Sequence, residues 1–275
     1  MSASMGVRAK KPRPRFGTIA LWIVTIGGML YLFIPLITIV VFSFNDPVGK
    51  FNTEWNQFTI DNWLHPFKQK AFTDALIESI KVAVIACILA TGLGALVAIA
   101  LARYRYRGGV VINLLIVLPL TTPEIVMGAS LFTLFFNFGV ERGFWTIVIA
   151  HTAFCLSFVA LTVKARIRGM DWTLEDAAMD LGSPPFRTFQ KITLPLITPG
   201  IVAAFMLSIA LSIDDYIITS FVAGDVRTFP RQVFDSAKVT IPPQVHVLAT
   251  MIMLVAIAII VGGTIAGNRR SARGL

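Results

Sequence analysis

An all-α integral membrane protein with six crossing helices is the fold class this sequence predicts. Three observations carry it: charge is scarce, the uncharged runs have membrane-spanning length, and the charges between them are sorted by sign. Of 275 residues, 56% are hydrophobic and 14% charged, and the 20 glycines raise the apolar share to about 63%. Mean hydropathy is +0.76. Soluble domains run about 45–50% apolar on that count and about 25% charged, so the composition argues against a soluble enzyme, a nucleic-acid binder and a disordered chain. The net charge of +9 points to loops held on the positive-inside face of a membrane.

A helix crosses the hydrocarbon core with about 20 residues. Uncharged runs place the first span near 18–42 and the second at 82–102, between Lys81 and Arg103. The third, near 110–136, is interrupted only by Glu124, and Thr121, Thr122 and Pro123 before it predict an irregular helix there. The fourth runs from Gly143 to Val163 with only His151 ionisable; the fifth occupies 192–213, between Lys191 and Asp214; the sixth lies near 245–267. The chain thus divides into a cytoplasmic tail at 1–17, a six-helix domain at 18–268 with a cytoplasmic loop at about 164–191, and a second tail at 269–275. The basic N-terminus leads into an uncharged run longer than the 7–15-residue core of a signal peptide, which predicts a retained first helix.

The sign of the loop charges fixes the expected orientation. Sixteen basic residues fall on the face that holds both termini and eight on the other, so both termini are expected in the cytoplasm of a bacterial inner-membrane, multi-pass protein. On that face Arg8, Lys10, Lys11, Arg13 and Arg15, then Arg103, Arg105 and Arg107, then Arg269, Arg270 and Arg273 read as topology anchors, the middle three in reach of anionic lipid. Cys87 and Cys155 sit in apolar runs and offer neither a disulfide framework nor metal-ligand spacing.

The loop from Asp171 to Pro195 is the most informative segment. Asp171 or Thr173 caps a helix whose first turn holds Glu175 and Asp176, favourable at the positive end of the helix dipole. Leu174, Ala177, Ala178 and Leu181 form an apolar stripe on it. Gly182 stops it, Pro184-Pro185 redirects the chain, and a second short helix over 186–191 runs into the fifth span. The result is an L-shaped protrusion suited to docking in a groove of another protein. An amphipathic helix lying on the membrane surface is the alternative.

Asp176-Ala177-Ala178, Gly182, and then Ile192, Leu194 and Pro195 resemble the EAA loop of ABC-importer permeases. Asp176 stands where that pattern has Glu, with Glu175 beside it as a neighbouring acid able to compensate. The likeness extends over most of residues 30–268, through Ser43-Phe44-Asn45, Pro123-Glu124-Ile125-Val126-Met127, His151-Thr152-Ala153-Phe154-Cys155 and Leu211-Ser212-Ile213-Asp214-Asp215-Tyr216. These resemble the second permease of spermidine/putrescine importers. The resemblance implies a type I importer permease, a second homologous permease, two cytoplasmic ATPase subunits and an external binding protein that delivers the polyamine. It implies no catalytic residue and no cofactor in this chain, with ATP and Mg held by the partner ATPase; the phosphate-loop pattern G-x-x-x-x-G-K-[ST] is absent from the sequence.

A polyamine is a flexible polycation, so its path calls for carboxylates and aromatic faces. Asp214 and Asp215 at the outer end of the fifth span, Glu124 within the third, and Tyr216 are the candidates. Adjacent helical residues point about 100° apart, so one Asp of the pair is expected to line a cavity. The structural alternatives are a cap for the next helix or an ion pair to Arg227 or Arg231; for Glu124 the alternative is a buried pair with the partner permease. His151 reads as an interhelical hydrogen-bond residue, Asn45 as a cap of the first span, and Trp145 and Phe154 as packing residues. Two rival functions remain: a permease for another small organic solute, and an ion-coupled secondary transporter, which has no use for a docking loop. An intramembrane enzyme lacks any nucleophile–base or metal-ligand spacing.

Overall fold

The computed structural model describes residues 16–104 and 108–272, with side chains for 17–104 and 108–263. In chain order the elements are α1 (Phe16–Phe42), β1 (Asn45–Asp46), β2 (Gln57–Phe58), α2 (Asp61–Leu64), α3 (Lys70–Arg103), α4 (Gly109–Thr121) and α5 (Glu124–Asn137). They continue with α6 (Phe144–Arg168), α7 (Thr173–Asp180), α8 (Pro185–Thr188), a π-helical turn (Phe189–Thr193), α9 (Leu194–Asp214), α10 (Ile217–Val222), α11 (Phe229–Ser236) and α12 (Pro243–Ala272). Of the basic anchors, Arg8, Lys10, Lys11, Arg13, Arg15, Arg105, Arg107 and Arg273 lie outside the described residues, as do the side chains of Arg269 and Arg270.

Among the described residues five helices are long and apolar enough to cross a membrane, and the bent pair α4–α5 brings the number to six when counted as one broken crossing. The irregularity expected in the third span is a sharp break: α4 and α5 meet at 108°. Pro123 has no N–H and pushes the preceding residue out of the helical region, and Thr122 is extended at ψ 130°. Each half is about 20 Å long at 1.5 Å per residue, short of the ~30 Å hydrocarbon core. The second and fifth spans also differ from expectation. The second begins ahead of its uncharged run, at Lys70, as the 34-residue α3, and α8, the π turn and α9 form one helix from Pro185 to Asp214.

The described residues fall into two compact units, one of 16–68 with 241–272 and the other of 69–240. In the first, a buried polar cluster follows α1. Asn45 Nδ2 donates to Asn52 Oδ1 at 2.6 Å and to the Glu54 carbonyl at 2.8 Å, while its own Oδ1 accepts the Asn56 N–H at 2.8 Å. Asn45 thus staples the loop that follows rather than capping the span, because its buried carboxamide bonds the Asn52 side chain and the backbone of Glu54 and Asn56. Asn52 also bonds the Phe42 carbonyl and lies 3.3 Å from His246 Nδ1 of α12.

In the second unit, α3, α6 and α9 pack around small side chains. Ala86, Ala90, Gly94 and Ala98 recur every fourth residue on α3 and are buried against Val148, Cys155, Val159 and Val163 of α6. A Cβ at Gly94 would stand 2.8 Å from the Val159 side chain, so the helix backbones approach as they do where small residues line membrane interfaces. Gly128 does the same for α5 and α10: its Cβ would meet the Phe221 ring at 2.6 Å.

Candidate functional site

The loop singled out by sequence begins with a capped helix. Asp171 Oδ1 accepts the Thr173 hydroxyl at 2.8 Å and its N–H at 3.0 Å, and those bonds hold the Asp171 carboxyl below its ordinary value. At the other end Gly182 is left-handed, with φ +83°. Its N–H reaches the Met179 carbonyl at 2.9 Å and the Ser183 N–H reaches that of Ala178 at 3.0 Å. This is the paired closure of a Schellman cap, and it satisfies carbonyls the end of α7 would leave open.

Glu175 and Asp176 face opposite ways. Glu175 is 3% exposed; its carboxylate pairs with Arg103 Nη2 at 3.1 Å and accepts the Thr193 hydroxyl. Asp176 and Ala177 are exposed, and Ala178 is half-buried. Neighbouring helical residues diverge by about 100°, so Glu175 does not stand in for Asp176 on the outer face. Around that face Leu181 is 89% and Phe186 71% exposed, with Leu174 beside them also open.

The second short helix expected over 186–191 runs without a break into the fifth span, as α8, the π turn and α9. Ile192 lies in the π turn, and Leu194 and Pro195 open α9. Pro195 has no N–H for the Lys191 carbonyl and its ring needs room. A π turn provides that room without ending the helix. The protrusion is thus one short helix, α7, hinged at Gly182 to a rod that continues into the bundle.

At the opposite end of α9 the two aspartates also differ. Asp215 is buried: Oδ2 accepts the Thr219 hydroxyl at 2.7 Å and N–H at 2.8 Å, and Oδ1 accepts the Ile218 N–H at 3.3 Å. His151, also buried, lies 3.2 Å from Asp215 Oδ2, 2.9 Å from Thr219 Oγ1 and 2.7 Å from Ser212 Oγ. It joins α6 to α9 and α10, and Asp215 caps the first turn of α10. Arg227 and Arg231 pair with Asp235, at 3.6 and 3.9 Å, not with either aspartate.

Asp214 is exposed and has Asp215, Glu124 and His151 as its electrostatic neighbours. Glu124 is exposed at the first turn of α5, just after the 108° break, where α5 packs on α10. Tyr216 is half-buried, its ring 4.4 Å from that of Phe234. The fold therefore gathers Glu124, Asp214, Asp215 and Tyr216 at one end of the second unit. Among the described residues no group of three His, Cys, Asp or Glu could hold a metal ion.

Sequence reasoning missed Arg103 and Thr193. Arg103 reads as a topology anchor, yet it neutralises a carboxylate 72 positions later in the chain; only the burial of one face of α7 distinguishes Glu175 from Asp176. A chain of apolar crossing helices, with one exposed helix at one end and gathered carboxylates at the other, defines a membrane transport subunit.

The chain belongs to the family of binding-protein-dependent transport system inner membrane components, which matches residues 90–268. It is 36% identical to the spermidine/putrescine transport system permease protein PotC of Haemophilus influenzae, over 84% of this chain and 90% of that one. Against PotC of Escherichia coli K12 the figures are 36%, 84% and 87%. The putrescine permease PotI of the same strain is 35% identical over 84% of each chain. The fold resembles a bacterial ABC transporter involved in import of the acidic polysaccharide alginate, with TM-score 0.65, 15% identity and coverage of 90% and 95%. The protein is a multi-pass component of the bacterial inner membrane and a transport subunit, not an enzyme.

Proposed function

We propose that this chain forms half of the translocation pathway of an ATP-driven polyamine importer, with both termini and α7 in the cytoplasm. A second permease completes the pathway, one of two ATPase copies docks at α7, and an external binding protein delivers spermidine or putrescine. The single observation that carries the cargo reading is the exposed Asp214 beside Glu124, supported by the identity to PotC and PotI. Asp214 lies at the negative end of α9 with the Glu124 carboxylate as a neighbour, so two negative potentials add at Asp214. That is where an ammonium group is drawn, with the Tyr216 and Phe234 rings close by for cation–π contact.

For coupling, Leu174, Ala177, Leu181 and Phe186 form the exposed apolar handle. ATPase closure moves α7 and the start of the Pro185–Asp214 helix together, and rocking of packed helices then alternates access. Proteoliposomes holding the chain, the second permease, the ATPase and the binding protein test this with labelled spermidine and putrescine. ATP-dependent accumulation of either is expected. Accumulation of a different solute only would overturn the cargo assignment, and uptake without ATPase would overturn the coupling.

A further inference from the structure

At the end of the bundle that carries α7, the ends of α3 and α6 and the start of α4 line a half-open cavity of about 240 Å³. A single water needs only about 10–15 Å³ by that measure. Leu101 and Ile167 line its apolar side; Asn113, Lys164, Arg168 and Trp172 line the polar one. Lys164 Nζ donates to Asn113 Oδ1, which holds the ammonium across the cavity between α6 and α4. Arg168, one turn further along α6, is the charged neighbour of Lys164. It is exposed and forms no ion pair among the described residues.

Two like charges at this helical spacing repel, and the carboxylates of this corner are committed elsewhere. Glu175 is held by Arg103 and Thr193, and Asp171 bonds Thr173. Neither Lys164 nor Arg168 has a carboxylate within ion-pair distance among the described residues. It lies where a membrane-crossing helix emerges, so its apolar wall adjoins the acyl region and its cations the headgroup layer. Trp172 presents an indole, a ring that favours that boundary.

We infer that this cavity binds the phosphodiester headgroup of an anionic phospholipid in the leaflet next to α7. Lys164 and Arg168 neutralise the phosphate, and Asn113 positions the lysine; basic pockets between crossing helices are suited to such headgroups. The site is independent of the cargo at Asp214, so it stands or falls apart from the polyamine reading.

The test is native mass spectrometry of the full-length chain purified with its co-expressed partner subunits, delipidated and then titrated with phosphatidylglycerol or phosphatidylcholine. Preferential retention of phosphatidylglycerol is expected. In the double variant Lys164→Gln, Arg168→Gln that retention should fall roughly thirty-fold, the combined worth of two basic side chains near an anionic surface, while Lys164→Arg, Arg168→Lys keeps it. Equal retention of phosphatidylglycerol in all three forms overturns the inference. So does equal retention of the two lipids by the unmodified chain, which decides the matter even if the Gln variant fails to fold. Displacement of phosphatidylglycerol by inorganic phosphate would identify a soluble-anion site instead and overturn the lipid assignment.

Discussion

Arg103, the last residue of α3, and Glu175, in the first turn of α7, form an ion pair of 3.1 Å across the corner where α7 meets the bundle. The Glu175 side chain is almost entirely enclosed and the Arg103 side chain a third exposed. Removing one partner of such a pair leaves an uncompensated charge, whereas replacing both by apolar groups of similar size does not. Arg103→Met should therefore destabilise the purified protein by about 1–3 kcal/mol, and Arg103→Met with Glu175→Leu should recover most of that loss. Thermal unfolding in detergent measures both. Equal losses in the single and double variants would show that packing, not charge compensation, holds α7 in place.

The aspartate pair separates by a similar experiment. Asp214→Asn should leave folding unchanged and reduce polyamine uptake on the order of tenfold, the equivalent of about 1.4 kcal/mol of lost attraction. Asp215→Asn should instead lower stability by about 1–3 kcal/mol, because the Asp215 carboxylate accepts three bonds from α10 and neighbours His151. Uptake assays and unfolding curves on both variants distinguish the roles; the opposite pattern would move the pathway role to Asp215.

Two glycines of α3 predict opposite outcomes two residues apart. A Cβ at Gly94 collides with Val159, while one at Gly92 meets nothing within 4 Å. Gly94→Ala should cost about 1–3 kcal/mol through overpacking, and Gly92→Ala should stabilise the helix by up to about 1 kcal/mol. Thermal unfolding of the pair reports whether α3 and α6 are as closely apposed as described.

The handle offers a functional test that spares the fold. Ala177 is exposed on α7, so Ala177→Asp should leave the protein in the membrane and abolish ATP-driven uptake. Normal uptake by that variant would remove the docking role from this face.

Charge gaps made the long helices legible because a membrane span must exclude charge over a fixed length. The same logic blurred their ends. Nothing in the alternation of charge said that α3 would start at Lys70, since Ser79 and its neighbours lie outside the apolar run but continue the helix. The break after α4 was readable from Thr122-Pro123, though not its angle, which depends on α5 packing through Gly128 onto Phe221. Among site residues, the cap at Asp171 and the stop at Gly182 follow from local rules. The partners of Glu175 and Asp215 do not, because Arg103 and His151 come from helices far away in sequence and Thr193 meets Glu175 only after the chain turns at Gly182.

The length of α3 carries one more consequence. Ser79 Oγ accepts the Phe229 N–H of α11 at 2.8 Å, and 24 residues further along the same helix Arg103 grips Glu175. At 1.5 Å per residue these anchorages stand about 36 Å apart, more than the thickness of the hydrocarbon core, on a helix without proline. A single strut therefore ties α11 near one end of α3 to α7 at the other. A push received at either end is delivered at the far one with little lost to bending.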